Sequence, residues 1–276
     1  MSKDFNTCRS FGPTPNYPSV ISYDDKGKYT SGPIAIVGPC SIESEEQITQ
    51  VAISLNRVGC TFMRGGVFRA GTYPPKEFGL KLDLLKTWKE VARRYDLKII
   101  VEVIDVRQIE LLDQYADAFH VGARQAQGYV LLNEISQTNK IVTLKRGKGM
   151  NLDEFLGAAE YLTRGRCTPI LIERGSATQM NHVRWDLSVS IIPAIKRLTK
   201  IPIIIDAAHG TGRRDLVYDM TLAGVQAGAD GYLVEVHPNP EQSISDSDQA
   251  YPLHLYQALH DEANYLYWRR RGIKIV

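Results

Sequence analysis

No apolar stretch in this chain approaches the roughly 18 residues that a membrane-spanning helix requires. A surplus of one charge is missing too: 33 Lys and Arg stand against 31 Asp and Glu, a net charge of +2. Nothing therefore argues for nucleic acid or an anionic membrane as the main partner, and the run Arg269, Arg270, Arg271 reads as a solvated helix end. Cysteine is sparse. Cys8, Cys40, Cys60 and Cys167 have no short paired spacing, which in so long a chain speaks against a disulfide framework or a zinc knuckle. The first residues, MSKDFNTCRSFG, lack the apolar segment of a secretion signal. A cytoplasmic protein is expected.

What is present is a repeating pattern. Residues 1–32 are polar and carry Pro13, Pro15, Pro18 and Gly27, and VISYDDKGKYTSG reads as two strand-like pieces about a turn. This N-terminal extension is expected to be a β-hairpin. From residue 33 to 276, eight short apolar runs alternate with helical patterns: PIAIVG, TFMRGG, KIIVEVID, AFHVG, IVTLK, PILIE, IPIIID and GYLVEV. Helices are expected near 43–58, 80–95, 107–115, 126–138, 152–163, 187–198, 215–227 and 254–270. Strands that are continuously apolar are buried on both faces, as parallel strands wrapped in helices must be. Eight such units favour an α/β fold of one closed (β/α)8 TIM barrel over an open, doubly wound sheet.

A barrel carries its chemistry at the C-terminal ends of its strands. Those ends are polar here: Cys40, Arg64, Glu102, Arg124, Lys145, Glu173 with Arg174, Asp206 with His209, and Glu235. Arg64, Arg124, Lys145 and Arg174 in one mouth would repel one another unless an anion joined them, so a phosphorylated, carboxylated substrate is implied. Cys40, His209, Glu235 and Asp246 would together make a mixed soft and hard site for a divalent transition metal such as manganese, zinc, iron or cobalt. Taken singly, Cys40 is more often a small buried apolar residue, His209 could be a hydrogen-bonded loop histidine, and Asp246 is exchangeable with Asp248 in the same Ser-rich loop. Glu235, closing an apolar run, needs a cation or a donor in any case.

The motifs GPCSIES, MRGGVFR, GARQAQ, LKRG, ERG, DAAHGTGRR and ADGYLVEVHP, ending in SDSDQ, closely resemble those of the type I, β-subclass 3-deoxy-D-arabino-heptulosonate 7-phosphate (DAHP) synthases. More distantly they resemble the 3-deoxy-octulosonate 8-phosphate synthases. The resemblance spans residues 33–272. It implies the eight-stranded barrel, a homodimer or homotetramer, and a transferase in the shikimate route to aromatic amino acids. The reaction it implies joins carbon 3 of phosphoenolpyruvate (PEP) to the aldehyde of an aldose phosphate, adds water at carbon 2 and releases phosphate. It assigns a divalent metal to Cys40, His209, Glu235 and Asp246, and PEP to Arg64, Ala123, Arg124, Lys145 and Arg174. Asp206, Arg69, Thr72 and Arg213 join the substrate-binding set, with Lys145, Glu102, His209 and Cys40 as catalytic candidates. Glu102 would stabilise positive charge at carbon 2 or orient the water, and Lys145 would move a proton.

One segment departs from the pattern. The family carries Lys-Pro-Arg-Thr where this chain reads Arg69-Ala70-Gly71-Thr72. The arginine that grips the phosphate of erythrose 4-phosphate has become Gly71, a loss worth roughly 1.5–3 kcal/mol. Arg69 swinging across, or Lys76 and Arg213 reaching in, would compensate. Otherwise the acceptor is a different, unphosphorylated aldehyde in a specialised pathway. A non-catalytic PEP- or sugar-phosphate-binding paralogue is the reading from another class. An added regulatory domain is not expected.

Overall fold

Each of the eight apolar runs forms a strand of one parallel sheet that closes on itself. The computed structural model describes residues 32–69, 79–179 and 181–272, with the backbone alone at Arg69. The expected N-terminal hairpin, Ala70, Gly71, Thr72 and Lys76 lie outside the described residues. In chain order the strands are β1 (Ile34–Gly38), β2 (Phe62–Gly65), β3 (Phe68–Arg69), β4 (Gly79–Leu80), β5 (Lys98–Glu102), β6 (Ala118–Val121), β7 (Ile141–Lys145), β8 (Thr168–Glu173), β9 (Ile203–Asp206), β10 (Gly231–His237) and β11 (Tyr251–Pro252). The barrel runs β1-β2-β5-β6-β7-β8-β9-β10, and β10 returns to β1 in register from Ile34↔Gly231 to Gly38↔Glu235. Two features were not anticipated: β3 and β4 form a small antiparallel pair, and β11 extends β10 in parallel outside the barrel.

The helices are α1 (Glu45–Arg57), α2 (Leu82–Arg94), α3 (Ile109–Asp113), α4 (Tyr129–Ser136), α5 (Leu152–Thr163), α6 (Ile191–Leu198), α7 (Ala207–Thr211), α8 (Arg214–Ala227) and α9 (Tyr256–Arg270). Caps set several of their starts. Ser44 accepts a hydrogen bond from the Gln47 amide at the head of α1, and Asn151 and Glu154 make a reciprocal capping box at α5. The helix expected from about 187 begins only at Ile191, because the Ser188 amide donates to the buried Glu173 carboxylate (3.2 Å). The single-turn α7 was not foreseen; Asp206 caps it by accepting from the His209 amide. Among the described residues no helix is long and apolar enough to cross a membrane.

Alternation along each strand divides the side chains between two cores. Ile36, Phe62, Ile100, Ala118, Ile170, Ile172, Ile204 and Leu233 fill the barrel interior, while a larger apolar cluster lies between strands and helices. Two residues beyond the interior layer, on the same face, stand Arg64, Glu102, His120, Arg174, Asp206 and Glu235. The inner face thus changes from apolar to ionisable at the strand ends.

Closure leaves no room for a side chain at Gly231. A Cβ there would lie 2.0 Å from the Ile34 carbonyl oxygen, across the seam where β10 meets β1. Gly231→Ala is expected to lower stability by about 1–3 kcal/mol or more, since backbone on both sides must separate. The midpoint of a urea unfolding curve measures it.

Candidate active site

The cavity at the C-terminal end of the barrel has a volume of about 350 Å³. Its wall includes Cys40, Arg64, Glu102, Ala123, Arg124 and Lys145, joined by Arg174, His209 and Asp246. Residues drawn from almost the whole length of the chain meet here.

One side is a cluster of acids. The Cys40 Sγ, a Glu235 carboxylate oxygen and an Asp246 carboxylate oxygen lie within 4.8 Å of one another, and Cys40 Sγ donates to Asp246 Oδ2 at 3.2 Å. Burial, followed by the Glu235 and Asp246 carboxylates, pushes the Cys40 thiol well above its usual range. Glu235, fully buried, meets Arg64 Nη1 at 2.6 Å and His209 Nε2 at 3.1 Å. Burial would raise its pKa; His209 and Arg64 outweigh that and hold the carboxyl ionised well below the usual range. Asp248, the other acid of this loop, lies instead beside a shallow depression with Arg214 and Tyr251.

These residues fit a divalent cation on two grounds. Three acidic groups crowd a space in which the thiol is held protonated, and a cation among them would relieve that cost. His209 stands beside that three-residue group rather than within it: Asp206 Oδ1 engages its Nδ1 at 3.0 Å, as a partner behind a metal-binding imidazole would, and its Nε2 lies 3.1 Å from Glu235 and 3.3 Å from Lys145 Nζ.

Asp206 was expected among the substrate contacts. It is fully buried beneath the cavity, 3.0 Å from Lys145 Nζ and 2.9 Å from His209 Nδ1, so it positions those two. Burial alone would raise its pKa, but His209 and Lys145 hold it well below the carboxylate range. For His209 the balance is the reverse: burial lowers its pKa, and Asp206 and Glu235 outweigh burial and raise it.

The adjoining wall is cationic. Arg174 is 4% exposed, and its Nε and Nη1 have no hydrogen-bond partner. Burial lowers its pKa to about 10. Its guanidinium and the Lys148 ammonium lie over the Trp185 ring, 5.2 and 4.9 Å from the centroid. Partial burial, with Arg124, Arg174 and Arg184 nearby, depresses the Lys148 pKa.

Lys148, Arg184 and His120 line this cavity without having been singled out in the sequence. Lys148 had a signal, a third cation just past β7. His120 had one too, as the polar residue inside AFHV; its Nδ1 lies 2.6 Å from Thr143 Oγ1 on the adjoining strand. Burial, then Lys145 and Arg64, drive its pKa well down, so the imidazole is neutral. Arg184 follows no apolar run and carried no signal. Arg213 departs from expectation: it is exposed, paired with Asp215 (2.5 Å) and placed on the outer depression. The Arg69 side chain and Thr72 lie outside the described residues.

The family model described as the DAHP synthetase I family matches residues 26–265. A phospho-2-dehydro-3-deoxyheptonate aldolase of Thermotoga maritima is 37% identical over 228 residues, covering 82% of this chain and 68% of that protein. A 2-dehydro-3-deoxyphosphooctonate aldolase of Nitrobacter hamburgensis is 27% identical over 248 residues, covering 82% of this chain and 85% of its own. The crystal structure of the Thermotoga maritima DAHP synthase superposes with a TM-score of 0.82 at 36% identity, covering 88% of this chain and 71% of that one.

Proposed function

This chain belongs to the DAHP synthetase I family, and from that premise we propose how its site condenses phosphoenolpyruvate with an aldose phosphate. In the reaction, carbon 3 of PEP forms a bond to the aldehyde carbon, whose oxygen gains a proton. Water adds at carbon 2, the bond from carbon 2 to the phosphate oxygen breaks, and inorganic phosphate leaves. The product is a 3-deoxy-2-keto sugar acid.

The observation that carries the substrate assignment is Arg174, a buried guanidinium with two nitrogens unmatched by any protein acceptor. Such a group is costly unless an anion completes it. With Arg124, Lys148 and Arg184 on the same wall, it makes a phosphate subsite in which planar guanidinium forks meet tetrahedral oxygens. Arg64, bonded to Glu235, and Lys145, bonded to Asp206, line the same cavity, and the PEP carboxylate and the reacting carbons would lie against them. Lys145, fixed by Asp206, is the group best placed to deliver or accept the proton.

Cys40, His209, Glu235 and Asp246 would hold a divalent cation, which supplies Lewis-acid polarisation of an oxygen or orientation of water when bound. Glu102, on the cavity wall, would face developing positive charge at carbon 2. The test is phosphate release from PEP, which is expected only with an aldehyde present. After dialysis against EDTA it should vanish, and a single added divalent metal should restore it. Release unaffected by exhaustive chelation would remove the metal role; no release with any aldehyde would remove the condensing role.

The acceptor is addressed by Gly71. If erythrose 4-phosphate is a poor acceptor because an arginine is missing there, Gly71→Arg should lower its KM by about ten- to a hundredfold. Unphosphorylated aldoses should be unaffected. If instead the native protein prefers an unphosphorylated aldose in a panel, the specialised-acceptor reading stands.

A further inference from the structure

The geometry points to Gln249 and Arg184 as a positioning relay for the two carboxylates of the metal site, an inference that rests on reading Cys40, His209, Glu235 and Asp246 as ligands. Gln249 is 2% exposed. Its Nε2 donates to Glu235 Oε2 at 2.5 Å, and its Oε1 accepts from Arg184 Nη1 at 3.2 Å. Both partners fix the orientation of the amide, because a carboxylate only accepts and a guanidinium only donates. The other Glu235 oxygen is already engaged by Arg64 and His209. Gln249 therefore determines how the carboxylate is turned about its own axis.

Arg184 Nη1 also reaches Asp246 Oδ1 at 3.4 Å. Asp246 sits at φ +50°, a left-handed conformation that is uncommon outside glycine and that Asp tolerates better than most side chains. Its loop is pinned from the β1 side, with Ser245 Oγ 2.8 Å from Ser41 Oγ and the Ile244 amide donating to Glu43 Oε1 at 3.0 Å. The backbone of the ligand loop is thus held by residues following β1, and its carboxylate by a residue following β8. A single guanidinium at the rim, beside the cations that would take the substrate phosphate, reaches one ligand directly and the other through one amide.

Cobalt(II) titration tests this without turnover. Cys40 ligation gives a near-ultraviolet thiolate charge-transfer band, and the arrangement of the carboxylates is read in the visible d–d bands. Gln249→Met is expected to raise the cobalt Kd about 10- to 100-fold and to change the d–d bands while the thiolate band persists. Arg184→Met should weaken binding less, and the double variant should fall short of the product of the single effects, because the two act in one chain. Cobalt affinity in Gln249→Met within about threefold of the parent, or fully multiplicative losses, overturns the relay. If Gln249→Met does not fold by circular dichroism, Arg184→Met at the rim carries the test through its own loss of affinity and altered d–d bands. A parent protein without any thiolate band overturns the ligand assignment itself, an outcome distinct from a failed relay.

Discussion

Lys145→Met is expected to lower kcat/KM for phosphate release by about 10²–10⁴ while the barrel remains folded. Lys145 is almost fully buried, with its ammonium 3.0 Å from Asp206 Oδ2 and 3.1 Å from His209 Nδ1. Methionine keeps the length and apolar volume of the chain and removes only the charge and the donors. Asp206 retains His209 Nδ1 as a partner at 2.9 Å, so no carboxylate is left buried without a hydrogen-bond donor and the loss should fall mainly on chemistry. Steady-state phosphate release with saturating aldehyde gives the rate, and circular dichroism checks the fold. A decrease of less than about tenfold would remove Lys145 from the proton-transfer role. The same measurement separates the enzyme from a non-catalytic binding protein, which would have no turnover to lose.

Glu173→Leu should cost stability: about 3–5 kcal/mol, the penalty for stripping a buried charge of its partner. Glu173 is fully buried and binds Arg146 through two contacts, Nε to Oε2 at 2.6 Å and Nη2 to Oε1 at 2.7 Å. It also accepts from the Gly175 and Ser188 amides. Arg146 in turn donates to the Met150 carbonyl at 2.9 Å. The pair therefore ties the loops after β7 and β8 together behind the cationic wall. Adding Arg146→Met to Glu173→Leu should return a large part of the lost stability, because the uncompensated guanidinium is then gone. Urea unfolding of the two single variants and the double variant measures the coupling; strictly additive losses would show that the pair does not act as a unit.

The alternating pattern of the chain favoured the barrel, and the pairing of β10 with β1 closed it. The continuous apolar runs ending in Lys145, Asp206 and Glu235 admit little besides buried parallel strands, and the polar residue closing each run marks the end that faces the substrate. Helix starts were less legible where a distant side chain intervened, as when Glu173 captures the Ser188 amide and delays α6. The short β11 and the single-turn α7 were not legible either. Two residues of strand carry no usable period, and α7 depends on one cap from Asp206.

The site divides along the same line. Local sequence determined which residue types gather at the strand ends, and hence that the cavity would hold anions on one side and acids on the other. It named Lys145 and Arg174 for that cavity but held no geometric reason to prefer them to the charge beside each. Lys145 and Arg146 are neighbours, as are Glu173 and Arg174. Only the strand's two-residue alternation, fixed by register in the closed barrel, sends Lys145 and Arg174 to the mouth and joins Arg146 to Glu173 outside it. In the same way, Asp246 rather than Asp248 meets Cys40, and Arg184 reaches Asp246, because loops remote in sequence converge once the barrel closes. Side-chain chemistry is local, whereas the distances that give it a role are set by the whole fold.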